Sequence, residues 1–138
     1  MKTFTFEELL HKREQREADQ FRVGQIPVPE SERALDARMP DKGEVLALYG
    51  ELATADSAAG ALEVGRHALY ACCPQLQDRE LQTALGTDKD PMSTLDALFS
   101  VRELDVMGGE ALRFLRLLPE EKKDGGEEPP AAGEAVKN

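Results

Sequence analysis

The sequence predicts a mostly α fold: a small bundle of about five to six helices, one short extended or strand segment near residues 20–29, and a disordered C-terminal tail. Three observations predict it. Apolar residues recur at helical spacing behind recognisable cap residues. Aromatics make up only 5 %, Trp is absent and Ala is frequent, which suits close helix-on-helix packing. After Glu120 large apolar residues nearly vanish.

The first helix is expected over about Phe6 to Ala18. Thr5 and Glu8 have the spacing of a capping box, and Phe6, Leu9 and Leu10 share one face. Beyond Leu10 the segment is charged, with signs interspersed as in an exposed helix. From Gln20 to Pro29 the pattern changes to alternation, and Ile26-Pro27-Val28-Pro29 is forced extended because a residue before proline avoids the α region. The prolines confine this strap to an edge. Glu30 to Arg38 is expected to add a helical turn before Met39-Pro40.

Asp41 is a candidate cap for a helix whose face is Val45, Leu48, Tyr49 and Leu52. Asp56 or Ser57 caps the next, with a small-residue stripe of Ala58, Ala61, Leu62, Gly65, Leu69 and Cys72, ended by Pro74. Asp78 opens a shorter helix whose Leu81, Ala84 and Leu85 face inward, with Gly86 at its end. Asp90-Pro91 reads as a cap with proline at the first helical position, followed by the face Leu95, Leu98 and Phe99. Ser100 and Glu103 repeat the capping-box spacing and open a last helix to about Leu118. A bend or break is expected at Gly108-Gly109, since each glycine costs about 1 kcal/mol relative to Ala.

That last helix carries two apolar lines. Val101, Leu104, Gly108, Ala111, Leu112, Leu115 and Leu118 make one, and Met107, Phe114 and Leu117 make a second beside it. The combined face is wider than one side of a small bundle requires, so it reads either as a buried terminal helix or as a partner-binding patch. Arg113 and Arg116 lie on the other side and read as surface charges. The candidate contact residues are therefore Met107, Phe114 and Leu117, with Phe6, Leu9 and Leu10 of the first helix as the rival surface for a partner or for self-association. The division expected is an N-terminal helix over 1–19, a strap over 20–40, a helical core over 41–118 and an acidic tail over 119–138. From Glu120 the tail holds six acids and three bases, a composition that cannot offset ordering entropy by burial.

Catalytic and metal chemistry finds little purchase. The only cysteines are the neighbours Cys72 and Cys73, which exclude a disulfide framework and read as small buried hydrophobes. Adjacent residues on a helix point about 100° apart, a poor start for a tetrahedral zinc site. His67 precedes Cys72 by five positions, off its face, which weakens a Cys-His nucleophile. No phosphate-binding glycine loop, His-Glu-x-x-His or nucleophile elbow occurs. No catalytic residue, cofactor or metal ligand is assigned, and an enzyme is not expected. The net charge of −10 argues against nucleic acid or an anionic membrane as the main partner. No apolar run approaches the ~20 residues of a membrane span, and the acids at Glu7 and Glu8 interrupt any signal-peptide core, so a cytoplasmic protein is expected.

The segment Leu69-Tyr70-Ala71-Cys72-Cys73-Pro74-Gln75-Leu76-Gln77-Asp78-Arg79-Glu80-Leu81-Gln82 resembles the L-I-Y-x-x-x-P-x-L-x-D-x-E-L-Q stretch of phage tail assembly chaperones of the XkdN-like family. Asp90-Pro91 through Leu98-Phe99 is similar to that family's D-P…L-F turn and helix. Glu103-Leu104 and Gly108-Gly109-Glu110 resemble its closing helix. The likeness runs from Phe6 to Leu118 and is best over Tyr70 to Phe99. Leu69 departs from the β-branched residue usual there, and Ala53 to Ala61 is unusually Ala-rich. The resemblance implies a non-enzymatic helical protein of a phage or prophage. Such a protein binds the tape-measure protein in the bacterial host cytoplasm while tail tube protein polymerises around it, and is absent from the mature virion. It also implies a frameshifted longer product, for which Lys122-Lys123 is a candidate slippery site. A structural tail or adaptor subunit retained in the virion, or an unrelated helical interaction module, remain the alternatives.

Overall fold

The computed structural model describes residues 1–120. The tail expected from 119 onward lies almost wholly outside the described residues. Six α-helices and one two-stranded sheet are present among them: α1 (Phe6–Asp19), β1 (Val23–Pro27), β2 (Ala34–Arg38), α2 (Lys42–Thr54), α3 (Ala58–Cys72), α4 (Arg79–Leu85), α5 (Ser93–Leu98) and α6 (Val101–Phe114). A 3-10 turn over Pro74–Gln77 joins α3 to α4. The mostly α fold class holds, with the extended segment in the expected place.

Local chemistry sets most boundaries. Asp41, Ser57 and Asp78 each accept a backbone N–H at the start of α2, α3 and α4. Pro74 ends α3 one residue after its cap, and Gly86 closes α4 at φ 76°. Glu8 N–H donates to Thr5 Oγ1 at 3.1 Å while Thr5 N–H donates to Glu8 Oε1 at 2.8 Å. Ser100 and Glu103 make the same reciprocal pair, at 3.2 and 2.9 Å.

The core centres on the crossing of α3 and α6. Leu69, Ala68 and Cys72 of α3 meet Leu104, Met107, Ala111 and Leu112 of α6 in one buried cluster with Leu48, Leu76 and Leu95. Here the expected break at Gly108-Gly109 does not occur, and α6 is one helix through both glycines. A Cβ added to Gly108 would lie 2.8 Å from the Cα of Gly65. Gly65 and Gly108 bring the two helix backbones into contact, and that packing outweighs the weak helix propensity of glycine.

The segment expected to form a helical turn before Met39 is instead β2, an antiparallel partner of β1 with Ile26 opposite Leu35 and Gly24 opposite Ala37. Ala, Leu and Arg are good helix formers, but pairing with β1 buries Ala37 beside Ile26, and tertiary burial wins. The hairpin turn has its own chemistry: Pro29 then Glu30 at φ 62°, with Ser31 N–H donating to the Val28 carbonyl at 3.3 Å, the arrangement of a type II turn. The Asp36 N–H donates to Gln75 Oε1 at 2.8 Å, which ties β2 to the 3-10 turn. The hairpin packs on α6 as well, so the strap shares the helical core rather than standing apart from it.

Other expectations are corrected in detail. Asp90 does not cap α5 with its carboxylate. Its carbonyl accepts from Ser93 N–H at 2.9 Å and from Ser93 Oγ at 2.6 Å, forming a turn that delays the helix to Ser93. The last helix ends at Phe114, not Leu118. Leu117 N–H donates to the Leu112 carbonyl and Arg116 N–H to that of Arg113, a Schellman closure with Arg116 at φ 63° where glycine is usual. Tyr49, Ala58, Ala61, Ala84, Leu98 and Val101, expected to face inward, are exposed. In α4 the buried side chain is Gln82, whose Nε2 donates to the Leu76 carbonyl and to Tyr70 Oη, both at 3.0 Å. Thr87 and Thr94 similarly satisfy each other in the core, 2.7 Å apart.

Candidate functional site

The two candidate surfaces have opposite fates. On α6, Met107 is fully buried and is removed as an accessible contact. Phe114 is half-buried under the guanidinium of Arg22, which stands 4.7 Å from its ring centroid, and its edge approaches Gly24 so closely that a Cβ there would lie 3.0 Å away. Leu117 is half-buried against the core. The wide apolar face of α6 is accounted for by two neighbours, α3 along one line and the hairpin along the other.

On α1 no residue is buried. Phe6 is 76 % exposed, Leu9 53 % and Leu10 41 %, and Phe4 just ahead of the helix is 62 % exposed. Helical spacing sets Phe6, Leu9 and Leu10 on one side, and Arg13 and Arg16 continue that side toward the C-terminal end, with Glu17 among them. The face is apolar at its tip and of mixed charge toward its root. The helix stands on its capping box and on local pairs such as His11 to Glu14 at 3.7 Å, each a weak contribution for exposed groups.

The root of α1 is held by Asp19, whose side chain is mostly buried. Arg16 reaches it at 3.3 Å, Arg22 at 3.2 Å and Arg116 at 3.6 Å. Three guanidiniums from α1, the start of β1 and the end of α6 thus share one carboxylate, and the hub is cationic. Arg113 nearby is paired with Glu110 at 3.3 Å. Sequence reasoning does not find the Asp19 hub. The Arg16–Asp19–Arg22 spacing hints at it, but the contribution of Arg116 depends on the turn after α6.

The groups with chemical potential are occupied structurally. Cys72 and Cys73 are free and buried, with Sγ atoms 3.9 Å apart. The hydrogen bond with Cys72, and then burial, push the Cys73 thiol far above the ordinary thiol range, which suppresses the nucleophilic thiolate. The ring of His67 faces carboxylates on both sides, Glu51 of α2 at 2.7 Å from Nδ1 and Glu63 at 3.0 Å from Nε2. Arg66 beside it joins Glu63 at 2.7 Å and Asp96 of α5 at 2.8 Å, so this network links three helices. Among the described residues no group of three or more His, Cys, Asp or Glu is placed to hold a metal ion, and no helix is long and apolar enough to cross a membrane. No family model, curated protein or solved structure matches the chain.

Proposed function

We propose that this chain is a phage or prophage tail assembly chaperone without catalytic activity, which binds the tape-measure protein and keeps it soluble until tail tube protein replaces it. The observation that carries the reading is α1: a capped helix that buries none of its residues and offers Phe6, Leu9 and Leu10 to solvent from an acidic helical body. An exposed amphipathic helix is suited to engage an apolar stripe on another helix, and a small contact releases readily under competition. The net charge of −10 keeps a body with such a surface dispersed. The sequence likeness around Tyr70 to Phe99 supports the tape-measure protein as the client and the host cytoplasm as the working compartment.

The test is co-expression with the product of the longest open reading frame just downstream, where this reading expects the tape-measure protein, scoring client solubility and co-purification. The reading expects capture by the intact chain and loss of capture in Phe6→Ser/Leu9→Ser/Leu10→Ser with the helical content of the body retained. A client equally soluble without this chain sinks it, and recovery of this chain in purified virions moves it to a structural subunit.

A further inference from the structure

The β1–β2 hairpin has two outer edges, and the structure closes one of them. We infer that the open edge of β1 pairs with β1 of a second copy, antiparallel and centred on Gln25, so that two hairpins join into one four-stranded sheet. This does not rest on the proposed function.

The register decides where each backbone group points. Val28 N–H donates to the Arg33 carbonyl at 3.0 Å and Met39 N–H to that of Arg22 at 3.3 Å. Gly24 opposite Ala37 and Ile26 opposite Leu35 belong to the same alternating set, the hydrogen-bonded pairs of the ladder. Val23, Gln25 and Pro27 therefore aim their backbone groups away from β2. Asp36, opposite Gln25, obeys the same rule on the other strand, and its outward N–H donates to Gln75 Oε1 at 2.8 Å. The 3-10 turn thus covers the β2 edge. On the β1 edge neither the Val23 nor the Gln25 N–H has an acceptor among the described residues. Their side chains face solvent while Gly24 and Ile26 turn to the core, and Phe21 leading into the strand is 81 % exposed. Open edges are usually guarded by charge, yet residues 23–29 carry none.

What covers this edge follows from its self-complementarity. Antiparallel pairing about Gln25 sets that residue against its own copy, and the two exchange N–H and carbonyl. Val23 falls opposite Pro27 of the other copy and donates its N–H to the Pro27 carbonyl, while Pro27 has no N–H to leave unpaired. Every outward N–H of both edges is then satisfied. The exposed side chains match in the same register, Val23 on Pro27 at each end and amide on amide in the middle. The seam is uncharged, so it sets no like charges in contact between two chains of net charge −10. The pairing is isologous and stops at two copies, because Gln75 already holds the other edge. So short a seam makes a weak pair that forms with concentration.

The experiment follows the full chain by sedimentation velocity from about 10 μM to about 1 mM, the range of weak association. Amide exchange is measured at both ends of that range. A dimer is expected to appear with concentration, and the Val23 and Gln25 amides are expected to slow as it does. Gln25→Pro removes the central N–H at a position where proline is tolerated, because that N–H faces away from β2. It is expected to weaken the dimer roughly tenfold or more, since two of the seam's hydrogen bonds go with it. Val23→Lys, which leaves the backbone alone, is expected to weaken it as well by placing charge on the edge. Circular dichroism of Val23→Lys should match the parent, so this variant decides if Gln25→Pro disturbs the fold. Phe6→Ser/Leu9→Ser/Leu10→Ser is expected to leave the dimer unchanged. A chain that stays monomeric throughout overturns the inference. So does a dimer that Val23→Lys and Gln25→Pro leave intact, or one that the α1 variant dissolves. Protection of the Gln25 amide that is independent of concentration gives the edge to another segment of the same chain and also overturns it, as does an assembly that keeps growing beyond two copies. Client capture is scored separately, so loss of the dimer leaves the proposed function standing and loss of capture leaves the dimer.

Discussion

Helices α1 and α6 start alike and end differently. Each is 14 residues long and opens on a complete capping box, Thr5 with Glu8 and Ser100 with Glu103. Yet α6 buries Leu104, Met107, Gly108, Ala111 and Leu112, while α1 buries none. The two diverge beyond their first two turns. In α6 the apolar positions persist for the whole length, and Gly108 lets α3 approach. In α1 they stop at Leu10 and charges take over. Local signals make a helix begin, but only a sustained stripe with a matching neighbour makes it core. The shorter stripe on α1 is left to meet something else.

The largest expected effect breaks the α6 side of this comparison. Gly108→Ala places a Cβ 2.8 Å from backbone of Gly65, which cannot yield as a flexible side chain would. Overpacking of this kind costs about 2 kcal/mol even after the better helix propensity of Ala is counted. Gly109→Ala meets no more than the guanidinium of Arg113 at 3.4 Å, and is expected to stabilise by up to about 1 kcal/mol. Urea midpoints of the two variants should move in opposite directions. Equal shifts would mean that the crossing is looser than the close approach of Gly65 and Gly108 requires.

The same two neighbouring glycines mark the limit of what sequence alone reveals. The helix starts at Thr5, Asp41, Ser57, Asp78 and Ser100, and the stop at Pro74, are legible because each rests on chemistry within a few residues. Gly108 misleads because its reason is a partner in α3, and Ala34–Arg38 because its reason is pairing with β1. The same limit applies to the site. Exposure of Phe6, Leu9 and Leu10 matches the short stripe, whereas Met107 and Phe114 look like contacts in sequence although α3, Arg22 and the hairpin cover them. A wide apolar face does not reveal how many neighbours it has.

A smaller effect probes the core through pH. The folded state holds the Cys73 proton because its hydrogen bond with Cys72 and then burial disfavour the thiolate. Below the ordinary thiol pKa of about 8.5 both folded and unfolded chains keep that proton, and this stabilisation is fully present. Above it the unfolded chain releases the proton and the folded chain does not, so the unfolded state binds fewer protons and stability falls as pH rises. The expected slope rises toward about 1.4 kcal/mol per pH unit as pH climbs from roughly 8.5 to 10. Cys73→Ala should remove that component, read as a flatter dependence of the urea midpoint on pH. An unchanged slope would mean that the Cys73 thiol ionises in the folded chain as readily as in the unfolded one.

The smallest effect is also the sharpest on the comparison itself. Thr5→Ala and Ser100→Ala delete the same cap from the same kind of box, each worth about 1 kcal/mol to its helix. In α6 that loss should appear in full as global destabilisation, because unfolding the body requires unfolding α6. In α1 it should not, since an element with no buried residue melts without exposing core. A free 14-residue helix is marginal, so Thr5→Ala should instead lower helical content by circular dichroism and raise amide exchange over Phe6–Asp19. The urea midpoint should stay within about 0.5 kcal/mol of the parent. If Thr5→Ala moved the midpoint as far as Ser100→Ala, α1 would be packed on the body in solution, and Phe6, Leu9 and Leu10 would be lost as a docking surface.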